Sequence, residues 1–221
     1  DKETLLTLYN ELTGYYRSVG RTREAIESGE QADKLIAELD LTGTEFHATT
    51  LVNTATAYRA GEHYERALEL YQRAEKIVSN YPDIKRAGLY NNMSMAYQGK
   101  NQCDKAITYL YKALEIIKAL PEYRVETAST YTNLSTVYFE LEEYEKGITA
   151  LQEALKLYEE EETKDSHYSA LLASLAHGYY LKKDYGQSVA YYTNALKEIL
   201  EHYGECENYA ITCENCAIVL E

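Results

Sequence analysis

The chain has 221 residues, a formal net charge of −14 and a sequence pI near 4.9. This acidic balance argues against binding to nucleic acid or to an anionic membrane surface, because both need a cationic face. No run of about 18 apolar residues occurs, so the sequence predicts no membrane-spanning helix. Only two prolines are present, both between helical runs, which indicates an almost entirely helical protein.

The N-terminus and the cysteines bear on the cellular context. The first residues carry neither a signal-peptide pattern nor a starting Met, so we interpret the chain as a piece of a longer protein. Four cysteines without a secretory signal favour free thiols in a reducing compartment. We therefore expect a cytoplasmic location.

Helical hairpins follow one another along the chain with an almost constant period. We predict hairpins at residues 4–40, 45–81, 83–120, 122–162 and 165–204, and a terminal helix at 207–221. A tyrosine recurs near the end of the first helix of each hairpin, 39 to 42 residues apart: Tyr16, Tyr58, Tyr97, Tyr138 and Tyr179. This recurrence predicts an array of similar units.

Small residues recur on the second helix of each hairpin. Nine residues after the tyrosine stand Ala25, Ala67, Ala106, Gly147 and Ser188. Sixteen residues after it stand Ala32, Ala74, Ala113, Ala154 and Ala195. Small side chains allow two helices to approach closely, and a hairpin with one apolar stripe needs neighbours to bury it.

Residues that interrupt helices fall between the predicted helical runs. Three glycines lie in the turns within hairpins, where we expect an unusual backbone angle: Gly20, Gly61 and Gly99. Pro82 and Pro121 follow the second and third hairpins, where proline stops a helix. The acidic run at 159–162 is interpreted as the start of a solvated loop rather than as a cation site.

This pattern resembles the tetratricopeptide repeat. The first helix of each hairpin carries a large residue, then Leu, a small residue and Tyr. The second helix carries Ala followed by Ile or Leu, and later Ala followed by Leu. The resemblance covers nearly all of the chain. The period is about seven residues longer than the common 34, which is similar to the kinesin-light-chain type. The resemblance implies an all-α, right-handed α-solenoid of five repeats plus one terminal helix, arranged as a single array in a bacterial protein.

Four residues near the C-terminus resemble a zinc set: His202, Cys206, Cys213 and Cys216. The repeat register accounts for two of them, because Cys213 and Cys216 fall at apolar positions of the terminal helix. No phosphate-binding glycine loop, serine elbow or HExxH motif is present. We therefore expect no metal, no cofactor and no enzyme activity.

A row of polar residues occupies one register of the first helices. Five residues before each tyrosine slot stand Glu11, Asn53, Asn92, Asn133, Ser174 and Asn215, and Asn10 and Asn91 lie one position earlier. The resemblance implies that these positions face a concave groove and that the asparagines bind the backbone of an extended ligand. A carboxamide both donates and accepts hydrogen bonds, which suits that task. The alternative is that these amides bond to neighbouring helices or to water.

The position after the tyrosine predicts an uneven groove. Arg17 and Arg59 occupy it in the first two repeats, whereas Phe139 and Tyr180 occupy it in the last two. We expect the N-terminal half to hold an acidic group and the C-terminal half an apolar side chain. His177 is interpreted as a hydrogen-bonding residue that lines the groove. The lysine–asparagine–arginine clamp of chaperone-binding tetratricopeptide proteins is not recognisable.

The sequence favours a scaffold that holds an extended segment of a partner protein or peptide. One alternative is a regulatory or substrate-presenting part of a larger bacterial protein, possibly with a nucleotidyltransferase-like domain. Another is a peptide-sensing receptor array. In addition, we expect weak self-association through the terminal helix, whose apolar stripe includes Ile211, Ile218 and Val219.

Overall fold

A computed structural model of the chain describes residues 1–79, 83–118, 120–159 and 166–221. The predicted all-α class is confirmed, since helices fill these ranges and no strand occurs in them. The helices are α1 Lys2–Ser18, α2 Thr22–Glu38, α3 Glu45–Ala60, α4 Tyr64–Val78, α5 Asp83–Gly99, α6 Cys103–Ile117, α7 Arg124–Glu140, α8 Tyr144–Glu159, α9 Ser166–Leu181, α10 Tyr185–Tyr203 and α11 Glu207–Leu220, with a 3-10 turn at Pro121–Tyr123. We call the odd-numbered helices A helices and the even-numbered ones B helices.

The chain divides into two compact units, and the first is Asp1–Ile117. Unit 1 contains the hairpins α1–α2, α3–α4 and α5–α6, and the B helices α2 and α4 also pack against the next A helices, α3 and α5. The six alanines of the two predicted small-residue positions are all fully buried: Ala25, Ala32, Ala67, Ala74, Ala106 and Ala113. A larger side chain at these positions would force the helices apart, which explains the recurrence of alanine.

Unit 2 is Lys118–Glu221 and contains the hairpins α7–α8 and α9–α10 followed by α11. Helix α11 buries Cys216 against Ala176 and Tyr192, as expected for an apolar position. Ile211 and Ile218 of α11 are exposed, at 48% and 56%. Self-association through this stripe stays a prediction, as does the interpretation of all 221 residues as a single array.

The turns within hairpins have one backbone feature in common, and it corrects the glycine prediction. The residue four positions after the tyrosine slot has a positive φ in every hairpin: Gly20, Glu62, Asn101, Glu142 and Lys183. Gly61 instead has a φ of −88°, and Gly99 is the last residue of α5. The geometry of the turn imposes this angle on any residue at that position, at a cost of roughly 1–2 kcal/mol for a non-glycine residue. Pro121 begins the 3-10 turn, whereas Pro82 and residues 160–162 of the acidic run lie outside the described residues.

The recurring tyrosines join one hairpin to the next within each unit. The Tyr58 hydroxyl on α3 donates to Glu30 Oε1 on α2 at 2.5 Å, and Gln152 Nε2 on α8 donates to the Tyr179 hydroxyl on α9 at 3.2 Å. Tyr179 also stacks on Tyr191, with ring centroids 5.4 Å apart. A tyrosine suits this position because its ring packs between helices while its hydroxyl reaches a polar edge.

A polar network in unit 1 holds α2, α3 and α4 together. His47 is only 5% exposed, and its Nδ1 accepts the Gly43 backbone N–H at 3.0 Å. Its proton therefore sits on Nε2, which donates to Asp33 Oδ1 at 3.2 Å, and Arg73 pairs with the same carboxylate at 3.3 Å. Burial lowers the pKa of His47 from its usual 6.5, although Asp33 opposes the shift.

The lowered pKa of His47 predicts that unit 1 loses stability on acidification. Below about pH 6.5 the unfolded chain binds the proton more readily than the folded chain, so the free energy of unfolding falls with pH. His47→Gln should cost about 1–2 kcal/mol at about pH 7.5, because the buried partners are left poorly bonded, and should flatten this pH dependence. Urea unfolding at about pH 7.5 and pH 5.5 measures both effects. His202→Gln, at an exposed histidine, is the control, and an equal pH dependence in the His47 variant would contradict the prediction.

Candidate functional site

A cavity lies in unit 2, between the A helices α7, α9 and α11. Its volume is about 520 Å³. It is lined by Ser135, Thr136, Phe139, Glu140, Ala173, Ser174, His177, Leu181, Tyr192 and Asn215. Nearly all of these residues come from A helices, because small or polar side chains there leave space between neighbouring helices.

A second cavity of about 190 Å³ lies between α7 and α9 and shares Ser174 with the first. Asn133 and His167 line it as well. We call these two cavities, which share the lining residue Ser174, the unit 2 groove. Three positions of the predicted polar row lie along it, since Asn133, Ser174 and Asn215 occupy the same repeat register.

The hydroxyl groups of this groove bond to their own helices. Ser135 Oγ donates to the Thr132 carbonyl at 2.7 Å, and Thr136 Oγ1 donates to the same carbonyl at 3.2 Å. Ser174 Oγ donates to the Ala170 carbonyl at 2.9 Å. Such bonds within a helix restrict the rotamers of these side chains.

Phe139 forms the apolar end of the groove together with Leu181. Its ring lies against two buried glycines, Gly147 on α8 and Gly178 on α9. An ideal Cβ at Gly178 would lie 2.6 Å from Cζ of Phe139, and one at Gly147 would overlap the ring. The prediction of an apolar wall rested on Phe139 and Tyr180 and did not include the glycines that make room for the Phe139 ring.

His177 lines the groove and stacks on Tyr180, with ring centroids 6.3 Å apart and an interplanar angle of 25°. The residue is exposed, yet the adjacent groove wall desolvates the ring enough to lower the pKa of His177. The imidazole is therefore neutral near pH 7 and offers one donor and one acceptor. Tyr180 also contacts Tyr185, with ring centroids 6.0 Å apart.

Unit 1 has a smaller cavity between its A helices α3 and α5, of about 260 Å³. Asn92 lines it, and an ion pair between Glu45 and Lys85 joins α3 to α5 beside it. Asn53 is partly buried on α3 but does not line this cavity. Sequence reasoning identified the register of Asn92 but gave no reason to expect the ion pair.

Two of the predicted amides donate to their own helices. Asn10 Nδ2 donates to the Leu6 carbonyl at 3.3 Å, and Asn91 Nδ2 donates to the Ala87 carbonyl at 3.5 Å. For the N–H donors of these two residues, the alternative that the amides bond to the protein itself therefore holds. The Oδ1 of Asn10, however, is buried without a hydrogen-bond partner among the described residues, and so is Nε of Arg59. Buried polar atoms without partners are rare in folded proteins.

The structure also places residues in the groove that we did not predict as site residues. Thr136 lies two residues before Tyr138, as His177 lies before Tyr179, so the repeat register was a usable signal. Tyr192 reaches the cavity from the B helix α10, and no pattern in the A helices points to it.

In the described ranges, no group of three or more His, Cys, Asp or Glu is placed to hold a metal ion. The absence of a metal or cofactor from the functional protein stays a prediction. No helix of the described residues is long and apolar enough to cross a membrane.

Comparison with known proteins identifies the class of fold. Residues 85–160 match the sequence model of the tetratricopeptide repeat. The predicted resemblance to tetratricopeptide repeats is therefore confirmed in sequence for this segment. The likeness to the kinesin-light-chain type is confirmed for the fold. None of the curated proteins compared with the chain matches it.

Three solved structures illustrate the likeness. A Podosopora anserina kinesin light chain with nearly identical TPR-like repeats is 19% identical, with a TM-score of 0.73 over 90% of this chain and 97% of that chain. BtubC from P. vanneervenii is 17% identical, with a TM-score of 0.65 over 93% and 94% of the two chains. The apo form of RapI is 18% identical, with a TM-score of 0.80 over 99% of this chain and 60% of RapI. The shared property is the fold.

Proposed function

We propose that the chain holds an extended segment of a partner protein in the unit 2 groove. One observation carries the proposal: Asn133, Ser174 and Asn215 share a repeat register and line two cavities that meet at Ser174. Each A helix thus presents a polar side chain to the same groove at a regular interval. A row of this kind suits a ligand that is itself a repeating chain.

Backbone recognition explains the amides. A carboxamide can donate to a peptide C=O and accept from a peptide N–H, which is the pairing that an extended backbone offers. A peptide advances about 3.3 Å per residue, so each hairpin serves every few ligand residues. The remaining affinity comes from side chains, and an apolar ligand side chain fits the cavity end at Phe139 and Leu181. His177 supplies a neutral hydrogen-bonding group beside it, supported by Tyr180.

In unit 1 we propose that the same register, Asn53 and Asn92, binds ligand backbone, with Asn91 and Asn10 next to it. We place this scaffold in the cytoplasm of a bacterium, without a catalytic role. The regulatory part of a larger protein and the peptide-sensing receptor remain alternatives. The two differ from a simple scaffold in requiring that ligand binding change another activity.

A test begins with peptides selected from a displayed random library on the immobilised chain. We expect the selected peptides to bind Asn133→Ala/Asn215→Ala about ten- to a hundredfold more weakly than wild type. Each lost hydrogen bond contributes about 0.5–1.5 kcal/mol, and 1.4 kcal/mol corresponds to tenfold. Calorimetric titration of both forms measures the change, and an unchanged helical spectrum shows that the fold survives.

The matched control is Asn194→Ala, which removes an exposed amide from the B helix α10. It should leave affinity unchanged. Equal affinities of the wild type and the groove variant would place the binding surface away from the A helices, and so would a loss confined to the control.

A further inference from the structure

One side of α1 is apolar from its first turn to its end, and it is exposed. We call it the α1 face and define it by five residues: Leu5, Leu8, Leu12, Tyr15 and Val19. Four of them are 40% to 58% exposed, and Leu12 is partly buried. Steps of three, four, three and four residues separate them, which keeps them on one side of a helix. A continuous apolar stripe on a surface marks a contact with another element.

The same repeat register packs against the preceding B helix elsewhere in the chain. Thr54, four positions before the tyrosine slot of α3, lies against Gly29 of α2, where a Cβ would overlap its side chain. Gly178, one position before the slot of α9, lies close to α8, since its ideal Cβ would be 3.1 Å from Cγ1 of Ile148. The α1 face is therefore a helix-packing surface that is open in α1.

The size of Tyr15 argues against a B helix as the cover of the α1 face. The corresponding residues of the next four A helices are smaller than tyrosine and buried: Ala57, Ala96, Val137 and Gly178. Small residues there allow the helices to approach closely, and a larger side chain would force them apart. The ring of Tyr15 would hold a B helix away from α1. The α1 face therefore suits a helix that packs with large side chains on both sides.

We propose that the α1 faces of two copies of this chain pack together antiparallel and form a symmetric dimer. The spacing of the stripe is that of a coiled-coil seam, in which side chains of one helix fit between those of the other. Antiparallel pairing places Leu8 of each copy against Leu12 of the other, and Tyr15 against Leu5. Parallel pairing would place both Tyr15 rings in one layer, where they compete for the same space. A second copy is complementary because the stripe matches itself under a two-fold rotation.

The expected contact is small, so the dimer is weak. Helix α1 has 17 residues and is therefore about 26 Å long. A pair of such helices buries roughly 500 Å² on each copy, compared with about 800 Å² in a typical stable interface. Antiparallel pairing also brings the exposed Glu11 of one copy near Glu11 of the other, and each copy carries a net charge of −14. We expect a dissociation constant of about 50 µM or weaker.

Sedimentation equilibrium of the chain from about 5 to 500 µM measures the dimer. Leu8→Gln/Tyr15→Gln should weaken it about a hundredfold, because both copies lose two apolar contacts. The matched control is Leu200→Gln on α10, at a leucine that is 49% exposed compared with 51% for Leu8. It should leave the dissociation constant unchanged. Glu11→Gln should tighten the dimer about twofold, because it removes a pair of like charges.

A wild-type chain that stays monomeric at the highest concentration would overturn the proposal. Equal effects of the Leu8/Tyr15 and Leu200 variants would do so too, and an unchanged helical spectrum shows that each variant folds. An unchanged dissociation constant in Glu11→Gln would overturn the antiparallel orientation. Association that is lost in Ile218→Gln but kept in the α1 variants would assign the contact to α11 instead. The peptide test of the unit 2 groove involves none of these residues, so the dimer and the groove are tested separately.

Discussion

Replacing both Gly147 and Gly178 with alanine is expected to lower the free energy of unfolding by about 2–3 kcal/mol. Alanine gains roughly 0.5–1 kcal/mol over glycine in a helix, but overpacking a tight contact typically costs 1–3 kcal/mol at each site. The clash is with Phe139, because the added methyl groups would press on its ring from α8 and from α9. An aromatic ring is rigid, so the ring or the helices must move.

Three comparisons test this explanation. Two of them measure stability by urea unfolding, and the third measures peptide binding. Gly14→Ala is the matched control, since Gly14 is a helical glycine with open space around its Cα, and it should stabilise the chain by about 0.5–1 kcal/mol. In a Phe139→Ala background the same two glycine substitutions should cost less than they do in the wild type, because the ring they press on is gone. An equal cost in both backgrounds would show that the ring is not the cause. Selected peptides that carry an apolar residue should also bind the double variant more weakly.

The second large effect is expected from Leu175→Ala, at a cost of about 2–5 kcal/mol. Leu175 is fully buried, and α9 packs against both α8 and α10, so the lost side chain leaves a cavity with helices on two sides. Neither neighbour can fill that space without giving up its contacts elsewhere. Thermal unfolding monitored by circular dichroism measures the change.

Leu200→Ala is the matched control for Leu175, because Leu200 lies in the same unit and is 49% exposed. It should change the free energy of unfolding by no more than about 0.5 kcal/mol. Similar losses in the two variants would mean that unit 2 does not have the tightly packed interior described above.

The repeat architecture was predictable because its physical cause is local and recurs. Ala32, Ala74 and the other alanines must be small wherever two helices touch, so the same residue type appears at the same register each time. Tyr58 and Tyr179 recur for a similar reason, since both join an A helix to the preceding B helix. One-dimensional patterns capture contacts that every hairpin repeats.

Contacts that occur only once were not predictable. Asp33, His47 and Arg73 meet from three helices, and nothing in their spacing distinguishes them from other charged surface residues. Asn133 lines a cavity at its repeat register. The Oδ1 of Asn10 has no hydrogen-bond partner among the described residues, and that depends instead on the neighbours that surround one atom. Likewise, Gly147 was recognised as a small residue, whereas its contact with Phe139 required the three-dimensional arrangement.

Three hydroxyls of the unit 2 groove bond to their own helices, and this affects which edge of an extended peptide can face them. Ser135, Thr136 and Ser174 each commit their single hydrogen to a carbonyl of their own helix. Their oxygens keep free lone pairs, so toward a ligand these groups act only as acceptors. A segment that turns its N–H groups toward α7 and α9 therefore meets complementary partners. The same segment rotated to present its carbonyls would meet acceptor against acceptor at these three hydroxyls, so in the proposed complex they favour one edge of an extended chain over the other.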